Sequence, residues 1–227
     1  DSLTYETAEK IDASNCIIIP GLINMHSHLP MTYFRGLADD LPLNIWLQQY
    51  IWPLEAKLIN PQFVYDATLH SAAEMIKNGI STANDMYFCM NSIADACSKV
   101  GLRVFISEAL IDNEQTGNDG TNAIGKRIIE LKEEYKDNPL IDFTLAPHSI
   151  YACSENTLKN CAKVAGENDF IVHTHLSETA EEVENCLKEH KLSPVEYLQK
   201  IGLLDVQGIF AHGVWINEKE MDILAEK

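Results

Sequence analysis

Two histidines separated by one serine follow an apolar stretch near the start of the chain, in IPGLINMHSHLP. Residues 16–19 are apolar and β-prone, and residues 22–23 continue this pattern after a Pro-Gly break. Side chains two positions apart along a β-strand lie on the same face. Two neutral imidazoles held side by side provide half of a typical metal site. The spacing therefore predicts that His26 and His28 end the first strand and share a metal ion. The alternative is a pair of polar residues at a surface turn.

The same spacing returns at His173 and His175 in FIVHTHLSE. Single histidines close two further β-prone stretches, His148 in LAPHS and His212 in IFAHG. Each of these histidines alone is more typical of a satisfied core residue than of a ligand. Six of the eight histidines in the chain nevertheless stand at predicted strand ends. This joint pattern favours a metal site.

Such a site needs a scaffold that brings several strand ends together. The hydrophobic pattern alternates six times between short β-rich runs and longer helical periods, without a linker or low-complexity segment. Alternation of this kind predicts a parallel sheet with crossover helices. The predicted strands begin at residue 16 and then cover 80–87, 103–111, 141–146, 170–176 and 208–214. The predicted helices cover 43–58 with a break at Pro53, 61–77, 92–100, 123–135, 154–168, 178–189 and 194–200.

A doubly wound sheet and a (β/α)8 barrel both fit this alternation. In a barrel, the carboxyl ends of all the strands form one rim where catalytic residues converge, whereas a doubly wound sheet gathers its site at one switch point. The histidines end several different strands, and Asp85 and Glu108 lie late in theirs. We therefore predict an α/β fold of the (β/α)8 TIM-barrel type. Six βα units are two fewer than eight, so the barrel is expected to be incomplete.

The bulk composition excludes several function classes. The chain has 227 residues and a formal net charge of −17. This charge repels phosphate groups, so neither nucleic acid nor a membrane is expected as a partner. Six cysteines are scattered without a CxxC pair, which predicts reduced thiols and a cytoplasmic location. The sequence leaves open whether the chain forms a homo-oligomer.

Several longer segments carry a family resemblance. In chain order they are PGLINMHSH, RGLADDLPLNIWL, IWPLEAKL, DMYF, APHSIYACSE, HTHLSET and AHGVW. Together they resemble the amidohydrolase superfamily, and more narrowly the 5-methylthioadenosine/S-adenosylhomocysteine deaminases and their chlorohydrolase relatives. The resemblance covers nearly the whole chain. It implies that residues 19–227 form a partial barrel of the metal-dependent hydrolase type and that residues 1–18 are a remnant of a small N-terminal β-sandwich.

The resemblance implies a cofactor as well. Matching motifs place one divalent metal on His26, His28 and His175, with zinc as the first choice and iron, manganese or nickel as alternatives. The family's fourth ligand, an aspartate on strand eight, has no counterpart here. We therefore expect this chain to be a fragment that is inactive by itself.

The remaining site residues follow from the same resemblance. Glu178 matches the family glutamate that moves a proton to the ring nitrogen. His212 matches the histidine that steadies the attacking water and the developing negative charge. Glu55 matches a glutamate that holds both ribose hydroxyls, a task that suits a carboxylate because it accepts two hydrogen bonds. His148 and Trp46 are expected to line the purine pocket.

The implied enzyme deaminates an adenosine-type nucleoside (5′-methylthioadenosine, S-adenosylhomocysteine or adenosine) to the inosine analogue and ammonia. A chlorohydrolase or a deaminase of another nitrogen heterocycle is the first alternative, and Glu55 disfavours it because a triazine has no ribose. Glu108 stands where some relatives have an arginine for a substrate carboxylate, which weakens the case for S-adenosylhomocysteine. A barrel that keeps its histidines without catalysis, as a binding or assembly protein, is the second alternative.

Overall fold

The computed structural model describes residues 9–112 and 120–227, and in them strands and helices alternate along the chain. The strands are β1 (Leu22–Ser27), β2 (Ile80–Tyr87), β3 (Arg103–Leu110), β4 (Ile141–Phe143), β5 (Ala146–Pro147), β6 (Val172–Leu176) and β7 (Gly208–His212). The α-helices are α1 (Leu43–Trp46), α2 (Trp52–Leu58), α3 (Pro61–Lys77), α4 (Met90–Val100), α5 (Thr121–Glu134), α6 (Glu155–Asn168), α7 (Ala180–His190), α8 (Pro194–Lys200) and α9 (Glu218–Ala225). Leu47–Ile51 forms a π-helical turn, and Leu29–Phe34 and Leu203–Asp205 form 3₁₀ turns.

All the strand pairs among the described residues are parallel. The order is β1-β2-β3-β4, β5 follows β4 and also pairs with β3, and β6 pairs with β7. A single parallel bridge between Leu145 and Val172 joins the two parts. β4 and β5 are the two halves of the strand that was predicted at 141–146. The predicted α/β barrel architecture with six βα units is thus confirmed, and it places the carboxyl ends of the strands on one rim.

The first strand begins later than its sequence pattern predicts. β1 starts at Leu22, and residues 16–21 form no strand. The interpretation of residues 16–19 as part of the strand was wrong. Ile17 is 90% exposed and Ile18 87% exposed. An apolar run becomes a buried strand only where another surface covers it, and no described element covers this one.

The predicted N-terminal β-sandwich remnant falls partly outside the described residues, because these begin at residue 9. Residues 9–18 contain no strand. The remnant therefore stays a prediction.

Within the described part of the chain, no helix combines the length and the apolar character that crossing a membrane requires.

Helix ends follow local capping chemistry. Asn60 and Ser154 accept backbone N–H groups in the first turns of α3 and α6, as polar residues at this position do. The predicted start of a helix at Glu178 was two residues early. Thr179 caps α7 and the helix begins at Ala180, so Glu178 lies in the turn between β6 and α7.

The core lies between the sheet and its helices. Val104, Ile106 and Phe143 of the strands and Ile93 and Ile128 of the helices belong to one buried cluster. Each such side chain contributes about 1.5–3 kcal/mol by leaving water. This packing makes the sheet a rigid platform for the side chains at its rim.

The segment 43–58 forms one wall above the rim. It was predicted as a helix broken at Pro53, but in the structure α1, the π-helical turn and α2 follow each other without a gap. Pro53 lies in the first turn of α2, directly after the π-helical turn, and a proline inside a continuous helical segment removes one backbone hydrogen bond. The wider π turn precedes it and belongs to the wall of the central cavity.

Candidate active site

The structure brings together the three histidines that the sequence analysis assigned to a metal. His26 lies in β1, His28 directly follows that strand, and His175 lies in β6. One ring nitrogen from each of them lies within 4.8 Å of the other two. The ring centroids of His26 and His28 are 4.8 Å apart, and those of His26 and His175 are 4.7 Å apart. A single ion can therefore contact all three rings.

Hydrogen bonds fix the tautomers of two of these rings. His28 Nδ1 lies 2.6 Å from the Met86 carbonyl oxygen, and His175 Nδ1 lies 2.6 Å from the His148 carbonyl oxygen. Because a carbonyl oxygen can only accept, both Nδ1 atoms carry the hydrogen and both Nε2 atoms carry a lone pair. The two Nε2 atoms face each other at 3.3 Å. Two facing lone pairs repel unless a cation lies between them, so this arrangement fits a divalent metal ion.

His173, a fourth histidine, contacts the ring of His26. His26 Nδ1 lies 2.8 Å from His173 Nε2, so a hydrogen carried by His26 Nδ1 would leave Nε2 of that ring for the metal. His173 is fully buried, and its Nδ1 has no partner among the described residues. Sequence reasoning recognised the His-Thr-His spacing but gave His173 no role. The repeat of the spacing was the signal that could have found it.

Strand β2 holds the segment that carries His28. The carboxylate of Asp85 accepts the backbone N–H of Leu29 at 2.5 Å and the hydroxyl of Ser27 at 3.3 Å, one on each side of His28. Asp85 is completely buried, and burial raises the pKa of its carboxyl to about 7. Its second oxygen has no partner among the described residues. Sequence reasoning noted only that this aspartate lies late in its strand.

Burial keeps the clustered imidazoles neutral. Desolvation, reinforced by the neighbouring histidines, lowers the pKa of His26 to about 2, that of His173 to about 3 and that of His148 to about 4. The same causes lower the pKa of His28 and His175. Neutral rings are the form that binds a metal.

A glutamate and a histidine lie next to the three-histidine cluster. Glu178 Oε1 lies 3.6 Å from His212 Nε2, and burial raises the pKa of the Glu178 carboxyl while His212 opposes this shift. Glu178 follows Ser177, whose φ of 49° is in the left-handed region. The buried carboxylate of Glu182 accepts the backbone N–H of Ser177 at 2.9 Å and that of Glu178 at 2.8 Å. Glu182 was missed by sequence reasoning, and it fixes the turn from which Glu178 projects.

All the predicted site residues border one cavity of about 280 Å³. Its remaining wall is largely apolar and aromatic, which suits a planar heterocycle. The lining includes the three histidines of the cluster together with Trp46, Glu55, His148, Glu178 and His212. At the end of β3 the cavity is bordered by Ala109 and Ile111. Glu108 is not part of this lining.

Hydrogen bonds also hold the side chains of Glu55 and Trp46. The Tyr87 hydroxyl donates to Glu55 Oε1 at 2.6 Å, and burial raises the pKa of the half-buried Glu55 carboxyl. The indole N–H of Trp46 donates to the Leu37 carbonyl at 2.9 Å. The ring of Trp46 is thereby fixed as a packing surface, while Glu55 keeps acceptor capacity for a ligand.

Comparison with known proteins shows the family of this chain. The chain matches the model of the amidohydrolase family over residues 17–227. It is 44% identical to a 5-methylthioadenosine/S-adenosylhomocysteine deaminase from Thermodesulfovibrio yellowstonii over 92% of this chain and 48% of the relative. It is 43% identical to a 5′-deoxyadenosine deaminase from Methanothermobacter thermautotrophicus over 96% of this chain and 51% of the relative. The chain thus spans about half the length of the curated relatives it matches.

Solved structures share the fold. An adenosine deaminase from Xanthomonas campestris with bound zinc superposes with a TM-score of 0.82 at 37% identity, over 91% of this chain and 47% of that one. The atrazine chlorohydrolase TrzN from Arthrobacter aurescens, complexed with zinc, superposes with a TM-score of 0.80 over 91% of this chain and 51% of that one. Its identity of 18% shows a common fold alone.

Proposed function

Because the chain belongs to the amidohydrolase family, we propose that the complete protein hydrolytically deaminates an adenosine-type nucleoside. The products are ammonia and the inosine analogue, and 5′-methylthioadenosine is the best single substrate. One observation carries the proposal: three histidines whose ring nitrogens lie within 4.8 Å of one another share a cavity with the Glu178–His212 pair. The names of the relatives, which are deaminases of such nucleosides, support it.

The donor set fits a divalent ion, and zinc is the first choice because imidazole suits it and because the adenosine deaminase at 37% identity carries bound zinc. His26, His28 and His175 would hold the ion. When bound, such an ion lowers the pKa of a coordinated water and supplies a nucleophile at neutral pH. Iron, manganese and nickel are the alternatives that metal analysis must distinguish.

Glu178 and His212 are assigned the proton chemistry. Glu178 takes up a proton at its carboxylate and delivers it to the ring nitrogen next to the carbon that loses the amino group. Burial raises the pKa of this carboxyl, which brings it closer to the neutral range where a proton carrier works best. His212, which faces Glu178 across 3.6 Å, steadies the attacking water and the negative charge that develops on the substrate.

The other cavity residues are assigned to nucleoside binding. Glu55 accepts hydrogen bonds from the two ribose hydroxyls, and Trp46 and His148 contact the purine. A formal net charge of −17 favours a neutral or cationic thioether nucleoside over a phosphorylated one. Because Glu55 is assigned to the ribose, replacing it by Ala should raise KM for nucleosides and leave the slow reaction on free adenine, which has no ribose, little changed.

The test is ammonia release by the complete, metal-loaded protein. The panel contains 5′-methylthioadenosine, S-adenosylhomocysteine, 5′-deoxyadenosine, adenosine, free adenine and a chlorotriazine. We expect deamination of at least one nucleoside, a loss of turnover of about 10²–10⁴-fold in Glu178→Gln with unchanged metal content, and normal turnover in the neighbouring Glu181→Gln. A protein that dechlorinates the triazine and ignores every adenosine derivative would establish the chlorohydrolase alternative instead.

A further inference from the structure

Tyr87, which has no role in the proposed function above, holds Glu55, the glutamate proposed to bind the ribose. Tyr87 is the last residue of β2 and is 3% exposed. Its backbone is paired in register with Glu108 of β3, so the sheet fixes the position from which the buried side chain projects. The hydroxyl donates to Glu55 Oε1 at 2.6 Å, and both residues line the central cavity.

This hydrogen bond also connects the cavity wall to the sheet. Glu55 belongs to α2, within the segment 43–58 that forms the wall. Among the described residues, no other side-chain hydrogen bond runs from this segment to a strand, since the indole of Trp46 donates to Leu37 in a loop instead. This bond therefore ties the carboxylate of Glu55 to the end of strand β2.

The bond leaves Glu55 with the capacity that a diol needs. A carboxylate offers about four acceptor sites, and within the described part of the chain Tyr87 is the single side-chain donor to Glu55. Oε2 and one lone pair of Oε1 remain for two ribose hydroxyls. We propose that Tyr87 is a positioning residue that aims Glu55 at the ribose and so sets the preference for nucleosides over free bases. This inference rests on the proposed function.

The hydrogen bond has an electrostatic consequence that a purely structural contact lacks. Burial raises the pKa of the Glu55 carboxyl, and the bond from Tyr87 lowers it again. Removing the hydroxyl should raise this pKa, so the carboxylate that accepts the diol is lost at a higher pH. Other titratable groups border the pair or the shared cavity: Asp85 and Cys89 beside Tyr87, and His26, His28, His148, His175, Glu178 and His212 around the cavity. Tyr87→Phe leaves all of them in place.

The experiment compares Tyr87→Phe with the wild type in the complete, metal-loaded protein. We expect KM for the nucleoside to rise about tenfold, the worth of a hydrogen bond to a charged group, with little change in kcat or in the reaction on free adenine. The acid limb of the kcat/KM profile for the nucleoside should move to higher pH. Tyr135→Phe is the matched control. It removes the 2.7 Å hydrogen bond that the Tyr135 hydroxyl donates to Asp95, which is remote from the cavity, and it should change none of these values.

Two further readouts separate the outcomes. In a Glu55→Ala background, Tyr87→Phe should add nothing to KM, because the two residues act as a unit. Binding of the inosine-type product, followed by calorimetry without turnover, should weaken in Tyr87→Phe while binding of hypoxanthine does not. If wild type deaminates nucleosides but Tyr87→Phe behaves as wild type, or weakens nucleoside and free base equally, the role of Tyr87 is refuted and the proposed function stands. A wild type that neither binds nor deaminates a nucleoside refutes both.

Discussion

Glu182 offers the sharpest test of how the site is held together. The residue is 4% exposed, and its carboxylate accepts two backbone N–H groups, those of Ser177 and Glu178. These bonds hold the turn after β6, in which Ser177 adopts a left-handed φ of 49°. The change Glu182→Gln keeps the shape of the side chain but replaces one acceptor oxygen by an NH₂ group. That group faces a backbone N–H, so one of the two hydrogen bonds is lost.

The magnitude follows from the bond that is lost and the turn that it restrains. A hydrogen bond to a charged group contributes about 1.5–3 kcal/mol, and a buried donor left without a partner costs about 1–3 kcal/mol. A left-handed non-glycine residue costs about 1–3 kcal/mol and persists only while its surroundings hold it. We expect Glu182→Gln to lower the free energy of unfolding by about 2–4 kcal/mol. Since Glu178 then loses its backbone anchor, turnover should fall about tenfold or more.

The assay is denaturant unfolding of the complete protein, together with ammonia release at saturating nucleoside. Glu181→Gln is the matched control, because it makes the same chemical change at the adjacent, exposed position, where no hydrogen bond is seen in the described structure. Metal content should stay constant in both variants. Equal unfolding free energies for the two variants would refute this account of the turn.

Three further predictions concern the metal cluster and its supports. His173→Gln should lower metal affinity about 10–100-fold, because a ligating histidine then loses its hydrogen-bond partner. Competition with a chelator measures this affinity. Unchanged affinity would show that the 2.8 Å contact of His173 with His26 is incidental. Burial raises the pKa of Asp85 to about 7 in the folded protein, whereas an unfolded chain has about 3.9. The stability that this carboxyl contributes is therefore full below about pH 4 and is lost as the pH rises through about 7. The unfolding free energy of wild type relative to Asp85→Asn should therefore fall by on the order of 4 kcal/mol across that window, and a pH-independent difference would contradict the buried, shifted carboxyl. Removal of the metal by a chelator should lower Tm, because the lone pairs of His28 and His175 then face each other uncompensated at 3.3 Å, and zinc should restore it; a Tm insensitive to both steps would contradict this.

The parts of this molecule that were predictable from its sequence depend on local patterns. Strand β2 and helix α3 coincide with their predicted ranges because their apolar periodicity and their end residues, such as Pro61 and Asn78 for the helix, point to the same boundaries. The histidine pairs were recognisable because a spacing of two places side chains on one face of a strand. Parallel pairing then brings the ends of β1 and β6 to the same rim.

The parts that could not be predicted depend on contacts between residues far apart in the chain, or on what covers a surface. The bonds from Tyr87 to Glu55 and from Leu29 to Asp85 join separate elements, and no spacing rule announces them. The apolar residues 16–19 predicted a strand, but in the described chain they lie exposed. Local β-propensity does not state whether a neighbouring surface exists.

The central claim, that His26, His28 and His175 hold the metal required for deamination, is tested most directly by metal analysis of the complete protein. We predict about one zinc per chain in the wild type. His28→Ala and His175→Ala should lose this zinc. His70→Ala, which changes an exposed histidine near Glu74 on α3, should retain it. Full zinc occupancy in His28→Ala and His175→Ala would contradict the assignment of the cluster as the metal site.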